Sequence, residues 1–114
     1  SSIVSPIRDG DRTHVAAAWG GTAFNFRGSA EFPRDYWLRT YAGSAARFRE
    51  IARAAGADVL IANHPGFDRT TTKLPVLAAR RPGDPHPYVI GNDMVARYLD
   101  VAEHCAVATR IAEG

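Results

Sequence analysis

Histidine is the residue type in this sequence best suited to bind a transition metal, and the chain contains four of them. A catalytic zinc ion takes about three protein ligands and a water molecule, and self-contained zinc sites pair histidines at short fixed spacings such as HxH, HxxxH or HExxH. No two histidines here have such a spacing, so the sequence predicts no complete zinc site of its own. The four residues are His14, His64, His86 and His104.

His64 is the histidine best placed to meet a ligand. It comes just after the short apolar run 58–62, which is typical of a buried strand. Pro65 and Gly66 follow at once and force a sharp exit from that strand. Polar residues at the carboxyl end of a buried strand lie where α/β proteins place their sites. Position alone leaves two interpretations open, a metal ligand or a histidine that hydrogen-bonds its own loop.

The remaining candidates for chemistry are weaker. His14 is predicted to lie in a strand, His86 between two prolines, and His104 on a helix, so each is interpreted as structural or surface. Cys105 is the one cysteine, which excludes an internal disulfide, and its place in a helix predicts a buried, inert thiol. No GxSxG nucleophile motif occurs, and the double glycine at 20–21 is not a GxGxxG phosphate loop.

Composition limits the partners of the chain. It has 114 residues, 46% of them hydrophobic, and a net charge of +2, which fits one folded domain or less. The arginines are scattered without interleaved aromatic residues, so nucleic-acid binding is not expected. No apolar run approaches the length of a membrane span, and the first residues do not resemble a signal peptide. The lack of an initial Met favours the expectation that the chain is part of a longer protein.

The elements that position these residues can be predicted from hydrophobic periodicity. They comprise a hairpin over 2–19, an extended piece over 22–26, a helix over 34–55, a strand over 58–62, a short helix over 70–79 and a helix over 92–112. A Pro-rich loop over 80–88 precedes the last helix. The order predicts an α/β fold, a mixed β layer with flanking helices.

The segment 57–68, ADVLIANHPGFD, resembles the last metal-ligand region of the metallo-β-lactamase fold, in the group of hydrolases whose zinc ligands are histidine and aspartate. The stretch HVAAAWGGTAFNF, the helix over 36–53 and the tail from residue 80 to residue 108 are also similar to that family. The family's HxHxDH signature is absent from this chain. The resemblance therefore implies the C-terminal half of an αβ/βα sandwich, with the rest upstream of Ser1.

The resemblance also implies a function and a set of site residues. His64 would be one zinc ligand, and Gly21, Thr22 and Asn25 would contact substrate. The whole enzyme would hydrolyse an amide, lactam or ester with a metal-bound hydroxide as the nucleophile, and His64 would act as a ligand and not as a base. With one ligand, this chain alone is expected to be inactive and to bind no zinc of useful strength.

Two other interpretations remain open at this point, a small α/β binding or interaction module without metal and a structural domain with no site. If the chain is instead the C-terminal half of a hydrolase sandwich, the inner face of its sheet is left bare. The expected partner is then the missing N-terminal half or a second copy of the chain in a homodimer. The residues expected on that face are Ile3, Val15, Val59 and Ile61.

Overall fold

The computed structural model describes residues 2–21, 27–63 and 66–114. It confirms the predicted α/β class and the predicted helices and strands; the predicted extended piece over 22–26 lies outside the described residues. The elements are β1 (Ser2–Asp9), β2 (Arg12–Trp19), α1 (Arg34–Ala54), β3 (Val59–Ala62), α2 (Thr70–Ala78) and α3 (Asn92–Glu113).

The three strands form one mixed sheet in the order β1-β2-β3. β1 and β2 are antiparallel, with Asp9 paired to Arg12, so Gly10 and Asp11 form the tight turn between them. Gly10 has a φ of 62°, the left-handed region that such turns require and that glycine enters without strain. β2 and β3 are parallel and are connected through α1, because a parallel pair needs a crossover of this kind.

The core lies between one face of the sheet and the helices α1 and α3. Ala17 and Trp19 of β2 and Leu60 of β3 face this layer and are buried. The Trp19 ring packs against Tyr41 of α1 at a centroid distance of 5.2 Å and meets Tyr98 of α3 edge-on at 6.5 Å. Tilted and edge-on arrangements at these distances are the favourable ones for aromatic pairs, so Trp19 connects the sheet to both helices.

The two long helices run antiparallel and are joined by ion pairs. Near the start of α1, Asp35 accepts a hydrogen bond from Arg110 Nε at 2.7 Å. Further along α1, Arg49 Nη1 donates to Asp100 Oδ1 at 2.9 Å and to Glu103 Oε1 at 2.6 Å. Contacts that pair the start of one helix with the end of the other fix the antiparallel arrangement, which leaves the first turn of α1 at the same end of the molecule as the last turn of α3.

The buried stripe of α3 differs from the stripe that periodicity predicted. Val95, Leu99 and Ala106 are buried, whereas Cys105 is exposed, so the prediction of a buried thiol is wrong. The reason is helical geometry, since Cys105 lies about 100° around the helix from Ala106. Gly91 is the N-cap of α3, and the Asn92 side chain donates to Ala57 O at 2.9 Å, which attaches the start of the helix to the segment before β3.

The other face of the sheet is largely open, and the four residues predicted there fare differently. Ile3 and Ile61 lie on it and are 64% and 40% exposed. Val15 points to the helix side and packs against the core, so that assignment is wrong. Val59 shares the open face with Ala16 but is buried, because Val89 from the Pro-rich loop forms a bridge beside it.

Candidate functional site

The carboxyl ends of β2 and β3 meet at one edge of the sheet. The parallel register pairs Trp19 with Ala62, so both strands end at the same level. Gly20 and Asn63 follow directly, and Asn63 Nδ2 donates to Gly20 O at 3.4 Å. Gly20 and Asn63, which precede the predicted site residues in the sequence, are therefore neighbours at this edge, which is the position where α/β folds place their ligands.

The predicted site residues divide into one that is described and three that are not. Gly21 lies at the edge and is half-buried beside the Trp19 ring. A Cβ at this position would lie 2.8 Å from Trp19 Cζ2, so the close approach to the indole requires glycine whether or not a substrate binds there. Thr22, Asn25 and His64 lie outside the described residues.

A buried carboxylate closes the loop that contains position 64. Asp68 is 5% exposed, and its Oδ2 accepts a hydrogen bond from Ala62 N at 3.0 Å, on the last residue of β3. Its Oδ1 accepts from Thr70 N at 3.0 Å and from Thr70 Oγ1, on the first residue of α2. Both ends of the 63–69 segment are thus attached to the same side chain, which fixes where the segment leaves the sheet and where it rejoins a helix.

The charge of Asp68 is stabilised by these contacts. Burial raises the pKa of the carboxyl, but the hydrogen bonds from Ala62 N–H and from Thr70 lower it by more, so the pKa lies below its ordinary value. The network continues outward, since Thr70 Oγ1 lies 2.8 Å from the Tyr88 hydroxyl and Lys73 Nζ lies 5.0 Å from the centre of the Tyr88 ring. Asp68 is therefore negatively charged, and both of its oxygens accept hydrogen bonds from residues at this edge.

This network of Asp68 was not predicted from the sequence. The signal for it was present as Asp68-x-Thr70 just before a helix, a spacing at which an aspartate accepts hydrogen bonds from the first turn. On the open side of the sheet the same residues border a cleft of about 460 Å³, which Ile61, Asn63 and Tyr88 also line. The cleft and the loop that contains position 64 share one edge of the fold.

The described histidines have structural contacts. His14 Nδ1 lies 2.6 Å from Asp58 Oδ2, and the other oxygen of Asp58 accepts from Val15 N at 3.0 Å, which attaches the loop before β3 to β2. His86 Nδ1 accepts a hydrogen bond from Tyr88 N at 3.2 Å within the Pro-rich loop. These contacts agree with the interpretation of both residues as structural.

Among the described residues, one group has the spacing of metal ligands. Asp100, Glu103 and His104 lie on α3 with ligand atoms within 4.8 Å of one another. Asp100 and Glu103 both accept hydrogen bonds from Arg49, so a cation of the protein already offsets part of their negative charge. The group lies on the helix layer and not at the edge where β2 and β3 end, and it is an inter-helix ion-pair cluster.

No helix in the described part of the chain is long and apolar enough to cross a membrane.

No family model matches the sequence, and no curated protein matches it. Among solved structures, the chain is similar to BJP-1, a subclass B3 metallo-beta-lactamase of Bradyrhizobium japonicum, with a TM-score of 0.62 and 21% sequence identity. The similarity covers 98% of this chain and 41% of that chain. The chain therefore has a metallo-beta-lactamase-like fold over a span of less than half of that enzyme's length.

Proposed function

We propose that this chain is the C-terminal part of a metal-dependent hydrolase and that it contributes His64 as one zinc ligand. The observation that carries the proposal is the common edge of β2 and β3, because position 64 follows Asn63 directly at that edge. The likeness to the fold of a metallo-beta-lactamase supports the class of reaction. A neighbouring cleft of about 460 Å³ offers space for part of a substrate.

The residues at this edge are compatible with a zinc site that takes one ligand from this chain and its other ligands from the rest of the longer protein. Asp68 is the nearest described carboxylate along the chain, and both of its oxygens already accept hydrogen bonds. Imidazole is a common zinc ligand, and a catalytic zinc takes about three protein ligands. Zinc bound there would supply a water with its pKa lowered toward 7. The part of this chain would be to hold the imidazole in place from a loop fixed by Asp68.

We propose that Gly21, Thr22 and Asn25 line the substrate side of the same edge. Gly21 directly follows Gly20, whose carbonyl oxygen accepts a hydrogen bond from Asn63, the residue that precedes His64 in the sequence. An amide, lactam or ester carbonyl held between the two segments would lie next to the metal. The pocket wall supplied here would orient that carbonyl and exclude bulk water.

The open face of the sheet supports the view that a further layer covers it. Ile3, Ile7 and Ile61 share this face and are all exposed. Contiguous apolar surface of this kind marks an interaction site in a soluble protein. We propose that the N-terminal half of the sandwich covers it in the longer protein, and that a second copy of this chain does so when the chain is alone.

A hydrolysis assay tests the proposal. The chain, extended by the upstream segment that supplies the other ligands, is assayed with β-lactams and simple esters, with and without a chelator. Turnover that the chelator abolishes is expected, and His64→Ala is expected to lower it by at least about 100-fold, since even outer-shell partners of a metal ligand cost about 10–100-fold. His104→Ala, on exposed α3 surface, is the matched control and should retain activity.

Two results would reject the proposal. Turnover insensitive to the chelator would exclude metal chemistry. Equal turnover in His64→Ala and His104→Ala would exclude His64 from the site and favour the alternative, a small α/β binding module without metal.

A further inference from the structure

A groove separates α2 from α3 on the helix side of the sheet. It has a volume of about 710 Å³ and is lined mainly by apolar side chains. Leu60 of β3 and Tyr98 of α3 form its inner part. Val76 of α2 and Met94 and Val101 of α3 form its walls and are 52%, 50% and 59% exposed. Scattered exposed apolar residues are ordinary, but several large ones along one concave groove indicate a binding site.

The rim of this groove is cationic. Arg69, Lys73 and Arg97 all line it, and Asp68 is the one acidic residue that does. The oxygens of Asp68 accept hydrogen bonds from Ala62 N and Thr70 and so point into the loop network.

The cations of the rim have few partners within residues 2–21, 27–63 and 66–114. In the described part of the chain, no ion pair involves the guanidinium groups of Arg69 or Arg97, and the Lys73 amine lies over the Tyr88 ring. Asp93 and Asp100 lie one turn from Arg97 on α3, and Asp100 is engaged by Arg49.

The environment of Lys73 is consistent with this imbalance of charge. Burial lowers the pKa of its amine, the charge of Asp68 opposes that effect, and the charge of Arg69 adds to it. An anion placed beside Lys73 and Arg69 would relieve the repulsion between these two cations. The guanidinium group can bind a carboxylate with two parallel hydrogen bonds, so Arg69 or Arg97 could hold the head group of a fatty acid in this way.

We propose that the groove between α2 and α3 binds a single-chain fatty-acid anion, with the acyl chain along Leu60, Met94 and Val101 and the carboxylate at the cationic rim. The volume lies in the range of small-molecule pockets, about 300–1,000 Å³. The residues that carry this inference, Lys73, Met94 and Arg97 among them, differ from those proposed for the zinc site, so the two proposals can be tested separately.

Paired probes test both the apolar and the charged part of this proposal. Dodecanoate and dodecyltrimethylammonium share one chain length and differ in the sign of the head group. Each is titrated below its micelle concentration while amide chemical shifts are followed by NMR. Saturable binding of dodecanoate is expected, with the largest shifts at Met94, Tyr98 and Val101, and binding of the cation is expected to be at least about tenfold weaker.

Two matched pairs of variants localise the binding. Met94→Glu should weaken dodecanoate binding about tenfold, whereas Ile111→Glu, at an exposed apolar position outside the groove on the same helix, should leave it unchanged. Arg97→Glu should weaken it about fivefold, whereas Arg81→Glu, on the exposed Pro-rich loop, should not.

The result that overturns the proposal is equal affinity for both head groups, because the rim would then contribute nothing. Shifts centred on Ile3 and Ile61 would also overturn it, since dodecanoate would then be covering the open face of the sheet. The same holds if Met94→Glu binds dodecanoate as tightly as Ile111→Glu. His64→Ala serves as a separate reference, and its dodecanoate affinity should equal that of the unchanged chain.

Discussion

Replacing Asp68 with asparagine is expected to destabilise the fold at neutral pH by about 2 kcal/mol. The carboxylate accepts from Ala62 N with one oxygen and from Thr70 with the other. Asparagine has one acceptor oxygen, so its amide group must face either the Ala62 N–H or the Thr70 donors and leave them without an acceptor. A hydrogen bond to a charged group is worth about 1.5–3 kcal/mol, and an unsatisfied buried donor costs about 1–3 kcal/mol. The lost hydrogen bond and the unsatisfied donor are partly the same loss. The expected decrease in the free energy of unfolding is therefore about 2 kcal/mol and not the sum of the two.

The effect of this substitution should depend on pH in one direction. Burial raises the pKa of Asp68, and the hydrogen bonds from Ala62 and Thr70 lower it by more, so the folded pKa lies below the unfolded value of about 3.9. A depressed folded pKa contributes stability that is complete above the unfolded pKa and is lost as the pH falls through the folded pKa. The difference in stability between the unchanged chain and Asp68→Asn should therefore shrink as the pH falls below about 4.

Urea denaturation followed by circular dichroism at several pH values measures this difference. Asp11→Asn is the matched control, because Asp11 lies in the exposed turn between β1 and β2. At neutral pH the midpoint of Asp68→Asn should fall clearly below that of Asp11→Asn, and thermal unfolding should shift downward by roughly 8 °C. A stability difference that is negligible at neutral pH, or that stays constant down to about pH 2, would refute the role assigned to the Asp68 charge.

Three further predictions follow from the core, the open face and the count of ligands. Trp19→Ala should cost about 3–5 kcal/mol of unfolding free energy in urea, because the indole is buried between Tyr41 and Tyr98; a loss below about 1 kcal/mol would contradict that packing. The chain alone should self-associate in sedimentation at micromolar concentration, and Ile61→Ser should weaken the association; a monomer at high micromolar concentration would count against it. The purified 114-residue chain should hydrolyse neither β-lactams nor esters above background with added zinc, whereas turnover that a chelator removes would reject the view that its single ligand is insufficient.

Most of the secondary structure could be predicted because its signals are local. The apolar spacing of α1 and the continuous apolar run of β3 each point to one conformation, and both were placed within a few residues. The face of the sheet on which a strand residue lies was harder to predict from the sequence. The run 15–19 is apolar throughout, so no alternation of polar and apolar residues distinguishes the two faces of β2. The prediction that Val15 lies on the open face is wrong for this reason.

The candidate site was predicted in its location more than in its contacts. β3 ends at Ala62, close to the predicted end of the strand, and the register of β2 with β3 brings Gly20 beside Asn63. The part that Asp68 plays depends on tertiary proximity to Ala62 and Tyr88, which no local pattern encodes. The exposure of Cys105 likewise depends on which side of α3 is covered by the sheet and α1. Helical spacing alone is compatible with a buried stripe that includes Cys105 and with one that excludes it.

The zinc content of His64→Ala tests the central claim most directly. The chain with its upstream segment is purified with zinc, and the metal per protein is measured together with the thermal midpoint for His64→Ala and for the control His104→Ala. The account predicts a clear loss of zinc in His64→Ala at a nearly unchanged midpoint, and full zinc in His104→Ala, because removing one of about three ligands weakens metal binding steeply. Unchanged zinc with a lowered midpoint in His64→Ala would mean that the imidazole serves only the structure of its loop, and it would contradict the account.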